Sequence, residues 1–179
     1  MMRPALIAIL LLLMTTPVAI GQVDSLSGRQ LRNFQKDQVY NQIKDLVESG
    51  NFQFVAVWGQ PQTGGRLDLN GNNNYVRIEE NRVDTFLQYF GRVYNGRIAN
   101  SNNGGILFKG DMENWEVRYD EKKRKINYRF THKTGPETYE LIMRIGAGGG
   151  ASVTVSSSAR DFMSFDGYIE PLKAADNPG

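Results

Sequence analysis

Asp68, Asn70 and Asn72 place three side-chain oxygens at the spacing of the first ligands of a calcium loop, and Glu79 falls at the twelfth position, where a bidentate carboxylate belongs. Against that chemistry, Asn73 occupies the place of the glycine that makes the sharp bend, and Tyr75 to Ile78 alternate like a strand that carries Glu79 away. Asn70 to Asn74 is also good turn chemistry by itself. The expectation is an asparagine-rich turn and no metal centre, with Asp68, Asn70 and Asn72 kept as the calcium alternative. Zinc is not expected, because it needs three or four Cys, His or acidic ligands and the chain has one histidine and no cysteine. No other cofactor is implied.

That histidine, His132, is the only base available to a serine triad, and no serine lies in a nucleophile-elbow context. By alternation it shares a face with Tyr128 and Phe130. Glu79-Glu80, Asp111/Glu113 and Glu116/Asp120 are the nearest carboxylate pairs, but glycosidase carboxylates must face one another in space, which spacing along a strand does not supply. Gly146 to Gly150 lie between alternating strands without a following lysine, so they read as a hairpin turn rather than a phosphate cradle. Lys122 to Lys125, with Asp120 and Glu121 beside them, read as a solvated hairpin tip.

One segment stands out for recognition. Phe86 to Arg97 carries Phe86, Leu87, Tyr89, Phe90, Arg92, Tyr94 and Arg97 and leads into the polar, glycine-rich stretch Asn95 to Gly105. Aromatic and arginine side chains combine contact area with directional polar ends and dominate binding hot spots. Tyr89, Arg92, Tyr94 and Arg97 are therefore the candidate ligand-binding residues. The competing reading makes Phe86, Leu87 and Phe90 core, with the tyrosines at its edge.

These residues need elements to position them. From Leu31 to Val47 the apolar residues Leu31, Phe34, Val39, Ile43, Leu46 and Val47 recur at helical spacing, and Gly50 follows as a stop. Beyond Gly50 the period becomes two. Phe52, Phe54, Ala56 and Trp58 form one face, as do Trp115, Val117 and Tyr119, then Ile126, Tyr128 and Phe130, and Tyr139, Leu141, Met143 and Ile145. The connections are too short for parallel crossovers. The expected fold is α+β and mainly β, with an N-terminal amphipathic helix packed on an antiparallel meander of about eight or nine strands, barrel-like or sandwich.

The N-terminus reads as an export signal: Arg3, ten apolar residues from Ala5 to Met14, Pro17, then small residues at Ala19 and Gly21. The apolar run is too short to span a bilayer well; the alternative is a buried N-terminal helix. Residues 1–21 are read as the signal peptide, 22–30 as a linker, 31–173 as one β-rich domain and 174–179 as a tail. Without cysteine the chain has no lipoprotein anchor and no disulfide, and its core must hold it together. The mature part, with 20 basic and 19 acidic residues, gives no one-sided field for nucleic acid.

Gln60-Pro61-Gln62 to Gly65-Arg66, Asn74-Tyr75-Val76, Leu87 to Tyr94, Gly104 to Phe108 and the hairpin Tyr119 to Lys123 together resemble domain-of-unknown-function family 4251, exported proteins of Bacteroidetes. The resemblance runs from about Val39 to Ile169 and is most specific in Tyr89-Phe90-Gly91-Arg92-Val93-Tyr94. It implies a small exported β-rich protein and no activity, substrate or catalytic residue. The chain departs from lipid-anchored members by lacking their cysteine. The expected role is a non-catalytic periplasmic or extracellular domain, soluble and without a membrane span after cleavage, that binds a small ligand, a glycan or an envelope protein. The rival readings are an envelope hydrolase with paired carboxylates and a purely structural envelope protein.

Overall fold

A computed structural model describes residues 27–94 and 105–172. The signal and most of the linker, Arg97, nearly all of Asn95 to Gly105, and the tail lie outside the described residues. Helix α1 (Gly28–Glu48) opens on a capping box, in which the Ser27 hydroxyl accepts from the Gln30 backbone and the Gln30 side chain accepts from Ser27 N–H. Ten strands follow: β1 (Asn51–Pro61), β2 (Leu67–Asp68), β3 (Tyr75–Glu79), β4 (Arg82–Gln88), β5 (Gly105–Asp111), β6 (Glu113–Asp120), β7 (Lys125–Thr134), β8 (Glu137–Gly146), β9 (Gly150–Ser157) and β10 (Met163–Pro171).

All pairings are antiparallel, in the order β5-β4-β3-β1-β10-β9-β8-β7-β6, with β2 added beside β1. Consecutive strands β5 and β6 stand at opposite ends of this order, yet only Met112 separates them in sequence. A one-residue link cannot cross a flat sheet, so the sheet curls until its two edges meet, giving a nearly closed, barrel-like form. At this seam Phe108 of β5 stacks on His132 of β7 and on Tyr139 of β8, with centroids 4.7 and 4.8 Å apart. His132 Nδ1 donates to the Asp111 carbonyl at 2.9 Å. The lone histidine is a buried seam residue.

Inward residues of the long strands fill the interior, with Val117 and Tyr119 of β6 partly buried against it. Phe52, Phe54, Phe130, Tyr139, Leu141 and Phe165 are fully buried, each ring or branched chain contributing about 1.5–3 kcal/mol through loss of water contact. The alternation breaks at two places. Between Ala56 and Trp58 the register with β10 shifts, so Gly59 takes the inward place and Trp58 turns outward, under the Arg66 guanidinium at 4.6 Å. Between Glu113 and Glu116 the register with β7 also shifts, with Asn114 at φ 49°, and Trp115 is left 57% exposed.

The helix departs from its expected stripe as well. Tyr40 and Val47 are buried and Ile43 and Leu46 pack on the core, but Leu31, Phe34 and Val39 are exposed. The basic hairpin tip is more than a solvated turn. Lys44 meets Glu121 at 2.8 Å and Asp37 meets Arg124 at 2.6 Å, so the β6–β7 tip holds the helix.

Candidate functional site

The segment after β4 carries three of the four residues that composition singled out. Tyr89 continues the inward alternation of Val83, Thr85 and Leu87 and is itself buried. Its hydroxyl sits between the carbonyls of Arg92, at 2.8 Å, and Asp161, at 3.0 Å. Gly91 makes this possible: a Cβ there would lie 2.3 Å from the Tyr89 oxygen. The chain thus folds back over its own tyrosine. Val93 then forms an isolated antiparallel bridge with Arg160, flanked by Asp161 N–H to Arg92 O at 3.1 Å and Tyr94 N–H to Ala159 O at 2.8 Å.

Beneath the bridge lies a buried ion pair. Arg160 Nε donates to Glu137 Oε1 at 2.9 Å, Nη2 approaches Oε2 at 3.4 Å, and both side chains are 3% exposed. Arg160 Nη1 donates to the Gly105 carbonyl at 3.1 Å, and the Ser157 hydroxyl donates to Glu137. The guanidinium also lies 5.3 Å from the Tyr89 ring centroid. A buried pair of this kind is tolerable only when its remaining polar atoms are satisfied, and here the backbone and Ser157 satisfy them.

On the outside, Asp161 is shared. One carboxylate oxygen accepts from Arg92 N–H at 3.3 Å and the other from the Tyr94 hydroxyl. Around it Tyr94 is 69%, Phe90 49% and Phe162 45% exposed, and the Arg92 side chain is exposed as well. Of the sequence-derived candidates, Arg92 and Tyr94 therefore lie on a surface corner, Tyr89 lies under it, and Arg97 lies outside the described residues. Phe90, one of the residues the core reading buries, is exposed. Glu137, Arg160, Asp161 and Phe162 complete the corner and were not singled out. Arg160-Asp161-Phe162 carries the same aromatic–arginine signal as Phe86 to Arg97, but it follows a serine run that reads as plain loop.

The carboxylates of this corner accept hydrogen bonds from fixed partners, and His132 belongs to the seam. Burial, with the Asp161 charge beside it, pushes the Tyr89 phenol up to about 12, and burial does the same to Tyr128, also to about 12. A phenol whose folded pKa exceeds its unfolded value of 10.0 keeps its proton more tightly when folded. Stability is thus fully present below pH 10.0 and lost as pH rises through about 12. Urea midpoints should hold steady up to about pH 9 and then fall, and the fall should be shallower in Tyr128→Phe.

The other candidate chemistry disperses. Asp68 Oδ1 accepts from Asn70 N–H at 2.9 Å and from Asn70 Nδ2 at 2.8 Å, closing an Asx turn, and Glu79 sits at the far end of β3 opposite Asn51 and Arg82. No group of three or more His, Cys, Asp or Glu that could hold a metal occurs among the described residues. Glu116 pairs with Arg118, and Asp120 accepts from Lys123 N–H in its own turn. Among the described residues no helix is long and apolar enough to cross a membrane.

Comparison with known proteins places this architecture. A crystal structure of a DUF4251 family protein from Bacteroides eggerthii, at 1.95 Å resolution, superposes with a TM-score of 0.59 and 19% identity, over 75% of this chain and 89% of that one. No curated protein matches. The profile described as Domain of unknown function (DUF4251) matches residues 35–169, from the middle of α1 to near the end of β10. All but the last two strand residues, with the seam and the Tyr89–Asp161 corner, lie inside that span, and the chain belongs to the DUF4251 family.

Proposed function

We propose that the protein is an exported, non-catalytic binding domain whose contact surface is the corner formed by Phe90, Arg92, Tyr94 and Phe162. One observation carries this reading: three large aromatic side chains stand exposed around a bridge whose polar groups are already paired and whose base is a buried ion pair. Exposed rings on a rigid base lose little freedom on contact, which is the energetic basis of a hot spot. The filled interior argues against a ligand inside the barrel. Export rests on the signal pattern of Arg3, Ala5 to Met14 and Ala19 to Gly21.

The test is a photocrosslinking amino acid placed at Phe90, at Phe162, or at the exposed control Trp115, in cells that natively make the protein. A discrete adduct is expected from Phe90 and Phe162 and not from Trp115, and it should fade when Arg92→Ala is added. An equal pattern at all three positions, or no adduct at any, would overturn the reading. Sequencing the purified product should begin at Gln22; a chain retaining Met1 would refute export.

A further inference from the structure

A second surface, away from the bridge, has the composition of a ligand site. On the outer face of β10, β1, β3, β4 and β5, strand register sets two parallel rows. Glu170, Gln53, Arg77, Asp84 and Lys109 oppose one another in the first, and Tyr168, Val55, Tyr75, Phe86 and Leu107 in the second. The polar row is fastened along its length. Gln53 Nε2 donates to Glu170 at 2.6 Å, Arg77 Nε donates to Gln53 Oε1 at 3.1 Å, and Lys109 meets Asp84 at 3.0 Å. Arg77 also lies 4.0 Å over the Tyr75 ring, and the Tyr75 hydroxyl donates to Asp84 at 3.2 Å, so that ring is held in place from two sides.

Where the rows cross β1 they enclose a groove of about 210 Å³. Val55 is its floor and Tyr75 and Tyr168 are its walls; Gln53 and Glu170 stand toward one end and the Asn72 to Asn74 turn toward the other. The tyrosines stand on the strands flanking β1, about 10 Å apart, a width that admits one six-membered ring. The Asn72 to Asn74 end is fixed to the end of β4, because Asn74 Oδ1 accepts from Gln88 N–H at 2.7 Å.

The lining selects among ligand classes. Two aromatic walls favour a body with C–H faces. The exposed Asn72 and Asn73 amides at one end favour hydroxyl groups, which both donate and accept. Arg77 is committed to Gln53 and the Tyr75 ring, and through Gln53 its charge is balanced by Glu170, so the groove offers nothing for a phosphate. We infer that this groove is a binding site for a neutral pyranose unit of a glycan, seated on Val55 between Tyr75 and Tyr168. It shares no residue with the corner formed by Phe90, Arg92, Tyr94 and Phe162, and it stands or falls separately.

The experiment presents the full chain to an array of immobilised neutral and anionic oligosaccharides and then titrates the best neutral ligand by calorimetry. Neutral sugars should be retained. Tyr168→Ala should weaken binding by about tenfold or more, with the melting temperature within about 2 °C of the parent. Val55→Trp, which fills the floor, should abolish binding, and Phe90→Ser should leave it unchanged. Retention of anionic sugars only, no retention at all, or binding that survives both Tyr168→Ala and Val55→Trp would overturn the assignment.

Discussion

Glu137→Gln is expected to lower the unfolding free energy by about 3–5 kcal/mol, because it leaves the Arg160 guanidinium buried without its counter-charge. In a domain of this size that corresponds to a fall of roughly 10 °C in melting temperature. Arg160→Met should cost a similar amount at neutral pH but less in acid. A stranded carboxylate can escape by taking a proton, whereas a stranded guanidinium cannot. The double variant Glu137→Gln/Arg160→Met should recover part of either loss, since replacing both buried charges removes the desolvation that neither single variant avoids. Urea titration of the three variants at two pH values reads all of this at once. A loss below about 1 kcal/mol in Glu137→Gln would mean that the pair is solvated rather than sealed under the bridge.

Gly167→Ala should be comparably damaging for a steric reason. An added Cβ would lie 1.9 Å from the Val55 carbonyl oxygen and 2.9 Å from its carbon, and both are backbone atoms of the neighbouring strand. Gly167 pairs with Ala56, immediately before the register shift that turns Trp58 outward. No rotamer change relieves such a contact, so β1 and β10 must separate at the centre of their ladder. A loss of about 3 kcal/mol, at the upper end for overpacking, is expected. Gly148→Ala is the control: nothing lies within 4 Å of its added Cβ. Equal melting temperatures for the two variants would show that the strands part without penalty.

Periodicity read the fold well wherever one face of a strand meets the interior. Phe52, Phe54, Ile126, Tyr128, Phe130, Tyr139, Leu141, Met143 and Ile145 are all buried as their alternation requires. It failed where a single extra residue changes the phase. The irregularities after Ala56 and after Glu113 turn Trp58 and Trp115 outward, and nothing in their local composition announces them. The helix stripe was visible, but which part of it meets the core depends on tertiary contacts that begin only at Asp37 and Tyr40, so the exposure of Leu31 and Phe34 was not. Of the corner, the half contributed by β4 and its extension could be found because its aromatics and arginine are contiguous. The other half comes from residues 137 and 159–162, brought there by the β8–β9 hairpin and the Val93–Arg160 bridge. Pairing across more than forty residues leaves no trace in spacing. The rows behind the pyranose groove were hidden for the same reason: Tyr75 and Tyr168 are neighbours only through the register of β1.

The strand order carries a consequence for how the chain reaches its final form. β1 and β10, the first and last long strands, lie side by side in the middle of the sheet and join two groups, β5-β4-β3-β1 and β10-β9-β8-β7-β6. A polypeptide emerging N-terminus first, from a ribosome or a secretion pore, can assemble the first group early, but β1 keeps one long edge bare until the C-terminal strand arrives. Closure is therefore the final event, slow because it joins ends of high sequence separation. A chain that stops short of Met163 would leave two half-sheets, each with an open hydrogen-bonding edge prone to pair with a stranger.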